Sequence, residues 1–480
     1  MEPISLADLS SLVGASLDPG VPGDRLVGPA VVIDSRQAEP GCLFVALPGQ
    51  RVDGHDYVGA AAGRGARAAL VAHPTTTADL AELVVADPLA ALTRLSGALI
   101  ERARPRLAVI GLTGSSGKTT TKDILAQVLA LAGPTVAPIE SQNNDIGVPL
   151  TLCRVDRSTR YLVAELGARG LGHIADLCRI VRPDIGLVLN VGPAHVGEFG
   201  GPEQTAQAKG ELIEALPSRG WAVLNADDPQ VAGLARRSRA QLSWFSSQGR
   251  PESGPVRLWA ARIEAGPDQC HHFELNLEEA ESGRLTGSVQ LRLAGRHQVD
   301  NALAAAGAAW AAGVSGERIL TGLNQAQTVS RWRWETRPRS DGLLVVNDSY
   351  NANPVSMAAA LTTAGGLLRQ RRQTRPRARL CLVLGDMLEL GVDSAAYHRA
   401  VGRQAAQAGA SQLLAVGQFA DAVLAGAGAL GLTGRAVPDR DQALAALPEL
   451  GPDDILLIKA SRGLGLETVA AAVLGEGRPC

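Results

Sequence analysis

The stretch from Leu107 to Leu125, "LAVIGLTGSSGKTTTKDIL", restricts this chain more than any other feature. Leu107–Leu112 is a short apolar run of the kind buried in a parallel sheet. "TGSSG" then supplies small residues for a tight turn whose backbone N–H groups can surround phosphate oxygens. Ile124, Leu125, Val128 and Leu131 follow at helical spacing, so the turn opens a helix whose N-terminus attracts anions. Strand, glycines, Lys118-Thr119 and helix in that order describe a nucleotide-phosphate loop, which an ordinary Gly/Ser-rich turn does not require. The loop is a variant. In G-x-x-x-x-G-K-[ST] the first glycine would stand at Leu112, whereas the glycines here are Gly111 and Gly114. Lys118 is expected to neutralise the outer phosphates and Thr119 to offer its hydroxyl to Mg²⁺.

The whole chain sets bounds on that site. Its 480 residues suffice for two to four domains with substantial cores. With 46% hydrophobic and 20% charged residues, the composition is that of an ordinary globular protein. A formal net charge of −2 gives no reason to expect a nucleic-acid partner. The six cysteines are scattered without a C-x-x-C pair, so neither a zinc site nor a disulfide framework is indicated. Cys270-His271-His272 sits in strand-like surroundings and reads as a surface trio. "MEPISLADLSSL" lacks the basic-then-apolar order of a signal peptide, and no apolar run is long enough to cross a bilayer. The expected location is cytoplasmic.

Three α/β regions emerge. The first carries short strands at "AVVIDSR", "CLFVALPG" and "AALVAH", with a helical stretch between Tyr57 and Ala68, and "ERARPR" (Glu101–Arg106) reads as a linker after it. The second alternates strands ("LAVIGL", "YLVAEL", "DIGLVLN", "WAVLN") with helices, then runs into a β-rich piece from Val256 to Leu293 and an Ala-rich helix from Gln298. The third begins near Trp332 and has strands at "GLLVVND", "RLCLVLGD", "QLLAVG" and "DILLIKA". Within it the basic "QRRQTRPRARL" (Gln370–Leu380) reads as a solvated loop.

Other residues join the phosphate loop. Glu165 ends the strand "YLVAEL", at the carboxyl edge where parallel sheets bind ligands. His195 follows another strand end in "NVGPAHVGEFG", and Lys209 lies in the helical "TAQAKGELIEAL". Singly these could be a surface acid, a hydrogen-bonded loop histidine and a solvated lysine. Together, after successive strands beside an ATP loop, they read as metal-coordinating groups.

"TGSSGKTTTK", the Glu of "AELG", "NVGPAH" and "AKGEL" resemble the central domain of the Mur ligase superfamily, whose loop has the form T-G-[ST]-x-G-K-T. The resemblance continues through Asp34–Val58, "GRHQVDNALAA", "VVNDSYNANPVSM", "LGDMLELG" and "KASRGLGLE". It implies three domains: a small N-terminal α/β UDP-sugar-binding domain over 1–104, a central mostly parallel P-loop-type ATPase domain over 105–328, and a C-terminal Rossmann-like domain over 329–480. "DSYNANP" with "NNDIGVPLT" is similar to the type of member that uses ATP to join D-alanyl-D-alanine to UDP-N-acetylmuramoyl-tripeptide through an acyl phosphate.

That resemblance also implies roles. Gly114, Ser115, Ser116, Gly117, Lys118, Thr119 and Thr120 form the phosphate cradle, and Asn301, Arg333 and Asp348 contact ATP. Thr119 and Glu165 hold one Mg²⁺; His195 and Lys209 serve a second. A lysine ammonium cannot ligate a cation, and the family's matching lysine is carbamylated by CO₂, so Lys209 is expected as a carbamate. Lys118, Glu165, His195 and Lys209 are thus the implied catalytic set. Ser35 and Arg36 match the nucleotide-sugar site, Asn143 and Asn144 the substrate motif, and Asn351 and Asn353 the loop facing the dipeptide. The chain is expected to act as a monomer whose domains close about linkers near Pro105 and Thr328. "KASR" stands where the family form is "KGSR", which leaves Arg462 without an assigned role. The competing readings are a ligase adding the third amino acid of the peptide, a P-loop kinase or NTPase switch, and a catalytically dead scaffold.

Overall fold

The computed structural model describes all residues except 17–19, 50–51, 76, 78–79, 193–200, 280–282 and 477–480. Three main sheets organise the α/β chain. The first is a parallel sheet of Val31–Val32, Leu43–Val45, Ala68–Val71 and Ala81–Val84, in chain order. The third has the order Glu335–Pro338, Leu344–Asp348, Ile455–Lys459, Leu380–Gly385, Gln412–Val416, Gly434–Val437, parallel except for its first pair.

The nine-stranded central sheet positions the site. Ala108–Thr113 lies between Ile185–Val188 and Tyr161–Glu165, all parallel. These strands read as continuous apolar runs because helices cover both faces. Ile110 and Leu112 pack on Ile124, Leu125 and Val128 of the helix Lys118–Ala130, while Val109 faces the opposite core with Ile174, Leu177 and Leu212. The far edge is antiparallel, built from Val256–Ala265, Cys270–Glu279 and Gly283–Ala294. The Ala-rich helix His297–Ala311 buries its small face against this sheet.

Several expectations need correction. The region before Arg104 contains a 16-residue helix, Pro88–Ala103, whose N-cap Asp87 accepts bonds from the Leu89 and Ala90 amides. Its Leu92, Leu95 and Leu99 belong to the first core, its Ile100 and Ala103 to the central one. "ERARPR" is therefore the end of a bridging helix plus a 3₁₀ turn, not a loose connection. The basic run is not a solvated loop either. Gln370–Thr374 is the last turn of the helix Pro354–Thr374, and Arg371, Arg375 and Arg379 grip the Pro452, Asp453 and Asp454 segment. His271 of the presumed surface trio is buried. Asp53, His55 and His73 approach one another, but the His55 Nε2 already accepts the Ala72 amide at 2.8 Å and its Nδ1 faces Asp53, so both nitrogens of His55 are engaged within the fold.

The crossing near Thr328 is also anchored. Gln127 and Gln327 exchange two hydrogen bonds, and the Ser330 amide donates to Asp123 Oδ2 at 3.0 Å. Buried Lys122 lies 2.6 Å from Asp123 Oδ1 and donates to Pro138 O and Ser330 Oγ. Removing one member of such a pair leaves an uncompensated charge. Asp123→Ala should therefore destabilise the protein by about 3–5 kcal/mol, measured by denaturant unfolding; an unchanged midpoint would show that Lys122 finds other compensation.

Candidate active site

The phosphate loop begins where Ala108–Thr113 ends. Gly117 takes φ 80°, and a Cβ there would lie 2.4 Å from Asn301 Oδ1, so both backbone and space demand glycine. No side chain caps the helix that follows, which leaves its first amides free for an anion. Lys118 Nζ folds back onto Gly114 O at 2.8 Å. Burial lowers the Lys118 pKa; Glu165 opposes this and Arg333 adds to it.

The parallel register pairs Leu112 with Glu165, which delivers that carboxylate to the loop mouth. Glu165 is fully buried. Its Oε1 accepts from Asn143 Nδ2 at 2.8 Å, Ser141 Oγ at 2.9 Å and Thr119 Oγ1 at 3.4 Å. Among the described residues nothing bonds its buried Oε2. A buried carboxylate oxygen left unmet beside a hydroxyl is a fitting arrangement for a hard divalent cation. Lys209 projects from the helix Pro202–Glu214 into the same chamber, almost wholly buried. Burial, reinforced by the Lys118 charge, pushes its pKa down to about 7. Its amine is thus substantially uncharged near neutral pH.

Two large cavities meet at the loop and share Ser116, Gly117, Arg333 and Ser356. One, of about 1180 Å³, is lined by Thr120, Asn301 and Asp348; the other, of about 1320 Å³, holds Lys118, Thr119, Glu165, Lys209, Asn143, Asn144, Asn351 and Asn353. Arg333 reaches Thr119 Oγ1 at 3.1 Å and stacks over Tyr350, whereas Arg331 is exposed. Asp348 is held by Lys459 at 2.7 Å and by the Trp334 amide at 3.1 Å.

Other expected residues have structural duties as well. Asn353 caps the helix Pro354–Thr374 and donates to Ser115 O; Asn144 accepts the Gly147 amide. Ser35 and Arg36 line neither large cavity: Ser35 is buried, and Arg36 is exposed and bonded to Asp34. His195 lies outside the described residues. Sequence reasoning missed Ser141, Asn190 and Lys459. Asn190 Oδ1 accepts the Ser115 and Ser116 amides at 3.0 and 2.9 Å and so shapes the loop. Lys459 ends a parallel strand, the same signal that singled out Glu165.

Residues 30–103 match the model of the Mur ligase family, catalytic domain, 112–309 the Mur ligase middle domain, and 332–462 the Mur ligase, glutamate ligase domain. The chain is 40% identical to the UDP-N-acetylmuramoyl-tripeptide–D-alanyl-D-alanine ligase of Mycobacterium bovis, with 98% of each chain covered. A crystal structure of MurF from Acinetobacter baumannii superposes with a TM-score of 0.82 at 34% identity, covering 99% of this chain and 100% of that one. The Thermotoga maritima MurF ligase in complex with ADP gives 0.71 at 25% identity, with coverage of 93% and 96%.

Proposed function

The chain belongs to the Mur ligase family, and we infer that it is the ATP-dependent ligase joining D-alanyl-D-alanine to the C-terminal carboxylate of UDP-N-acetylmuramoyl-tripeptide. The product is the UDP-linked pentapeptide of peptidoglycan synthesis. The observation that carries this reading is the meeting of two large cavities at one phosphate loop, where they share Ser116, Gly117 and Arg333, with Glu165, Lys118 and Lys209 lining the second. An NTPase switch, whose acceptor is water, has no need of the second chamber.

A carboxylate is a poor electrophile at neutral pH. Transfer of the γ-phosphoryl group to one of its oxygens forms a new O–P bond, breaks the bond to ADP and gives the carbon a leaving group. The amine of the dipeptide then attacks that carbon and loses a proton, and phosphate departs with the transferred oxygen. Negative charge gathers where two anions meet, so the cations must be in place beforehand. Lys118 and Arg333 are held there by burial, Gly114 O, Thr119 and Tyr350. Gly114 to Thr120 cradle the phosphates, with Asn301 and Asp348 on the nucleoside side.

Thr119 and Glu165 would hold Mg²⁺, as the unmet Glu165 Oε2 suggests. Bound there, the ion would supply charge neutralisation at the phosphates. His195 and Lys209 are assigned to a second ion. For Lys209 the uncharged amine attacks the carbon of CO₂, an N–C bond forms and a proton is released, which turns a cation into an anionic oxygen donor. Ser35 and Arg36 are assigned to the UDP end, Asn143 and Asn144 to the tripeptide, and Asn351 and Asn353 to the dipeptide. Among the described residues no helix is long and apolar enough to cross a membrane. We place the enzyme in the cytoplasm, as a monomer using residues 1–104, 105–328 and 329–480 as its three substrate-binding units.

Two outcomes follow. ADP release should be appreciable only when UDP-N-acetylmuramoyl-tripeptide and D-alanyl-D-alanine are both present. Equal release with neither would point to an NTPase. With ¹³C-bicarbonate, a carbamate carbon signal should grow as pH rises through about 7, because only the uncharged Lys209 amine reacts. It should be missing in Lys209→Met. A signal that survives that substitution would remove the carbamate from Lys209.

A further inference from the structure

A small cavity adjoining the substrate chamber has no role in the account above. It encloses about 170 Å³ and is lined by Asn351, Ala352, Asn353, Leu388, Glu389, Leu390, Ser461, Arg462 and Gly463. That is well below the ~300–1,000 Å³ of a pocket for a drug-sized ligand, so it suits a group of a few heavy atoms. Asn351, Asn353, Glu389 and Arg462 also line the chamber holding Lys118, Glu165 and Lys209, so the two spaces are continuous.

Among the described residues lining the small cavity, Arg462 is the one cation and Glu389 the one acid. Leu388 and Leu390 add an apolar wall. Arg462 is already oriented: Nη1 bonds Glu467 Oε1 at 2.5 Å, and Cζ lies 4.1 Å from the Trp332 ring centroid. That bond uses one of the five N–H donors of a guanidinium. A planar fork braced on one edge and one face loses little freedom when a carboxylate joins it. Lys118 and Arg333 cannot serve instead, because they face the phosphate loop.

We propose that this cavity receives the C-terminal residue of the incoming dipeptide and that Arg462 binds its carboxylate, which makes Arg462 a specificity-determining residue. The proposal rests on the ligase reading above. With the dipeptide's amine directed at the acyl carbon beside the loop, its other end must project away from the phosphates. The small cavity adjoins the chamber on the side of Asn351 and Asn353, and Arg462 is there to meet it. Leu390, which is buried, then faces the terminal methyl group.

The test compares D-alanyl-D-alanine with D-alanyl-D-alaninamide, in which the carboxylate is replaced by a neutral amide. The intact enzyme should favour the acid in kcat/KM by on the order of 10- to 100-fold, as expected for a charge-assisted hydrogen bond. Arg462→Met should collapse that ratio towards one, mainly through KM for the dipeptide, while KM for ATP stays within about twofold. Arg462→Lys should restore part of it, since the charge returns without the fork. Equal losses for acid and amide in both variants would make Arg462 a structural residue and overturn the proposal. An undiminished ratio in Arg462→Met would do the same. If the intact enzyme ligates neither dipeptide, the ligase reading itself fails, and Arg462 falls with it.

Discussion

Glu165 is the constraint around which the site is built. Its carboxylate has no exposure to water, and among the described residues one of its two oxygens has no partner. A charge stripped of solvent costs several kcal/mol unless it is paired or coordinated. The site meets this demand with Lys118 and Arg333 nearby and with three donors on the other oxygen. The placement is a matter of backbone pairing. Because Leu112 and Glu165 are partners in adjacent parallel strands, the carboxylate arrives at the phosphate loop without help from any flexible segment.

The same loop ties the third sheet to the second. Arg333 and Asn353, both beyond the crossing at Ser330, reach Thr119 and Ser115. Ser330 in turn is held by Lys122 and Asp123, one turn along the helix from the phosphate-binding residues. The carboxyl edge of the third sheet, with Asp348 and Lys459, therefore faces the nucleotide side of the loop across anchored backbone. Lys209 works in the opposite electrostatic sense. Among the described residues it has no ion-pair partner, and burial beside Lys118 drives its amine towards the uncharged state.

Much of this was legible in the sequence because it depends on local order. The strand, the small-residue turn and the helix of the phosphate loop are contiguous, and every strand singled out in the second and third regions is present at its expected place. Glu165 was found because a strand end in a parallel sheet is a ligand position. What escaped depends on pairing between distant segments. The arginines of Gln370–Leu380 look solvated until the Pro452–Asp454 carbonyls and carboxylates arrive beside them. The bridging helix Pro88–Ala103 serves two cores at once, which no one-sided pattern announces. Ser141 and Asn190 act through hydrogen bonds to segments distant in sequence, and their types are common in loops. Ser35 and Arg36, which the resemblance assigns to the nucleotide-sugar end, lie outside the linings of the two large cavities.

The central claim is that the phosphoryl group passes to the carboxylate of the tripeptide. Labelling both oxygens of that carboxylate with ¹⁸O tests it most directly, with the released phosphate analysed by mass. Passage through an acyl phosphate predicts that one labelled oxygen appears in each phosphate formed and the other remains in the new amide. Phosphate carrying no label, at full product yield, would contradict the account.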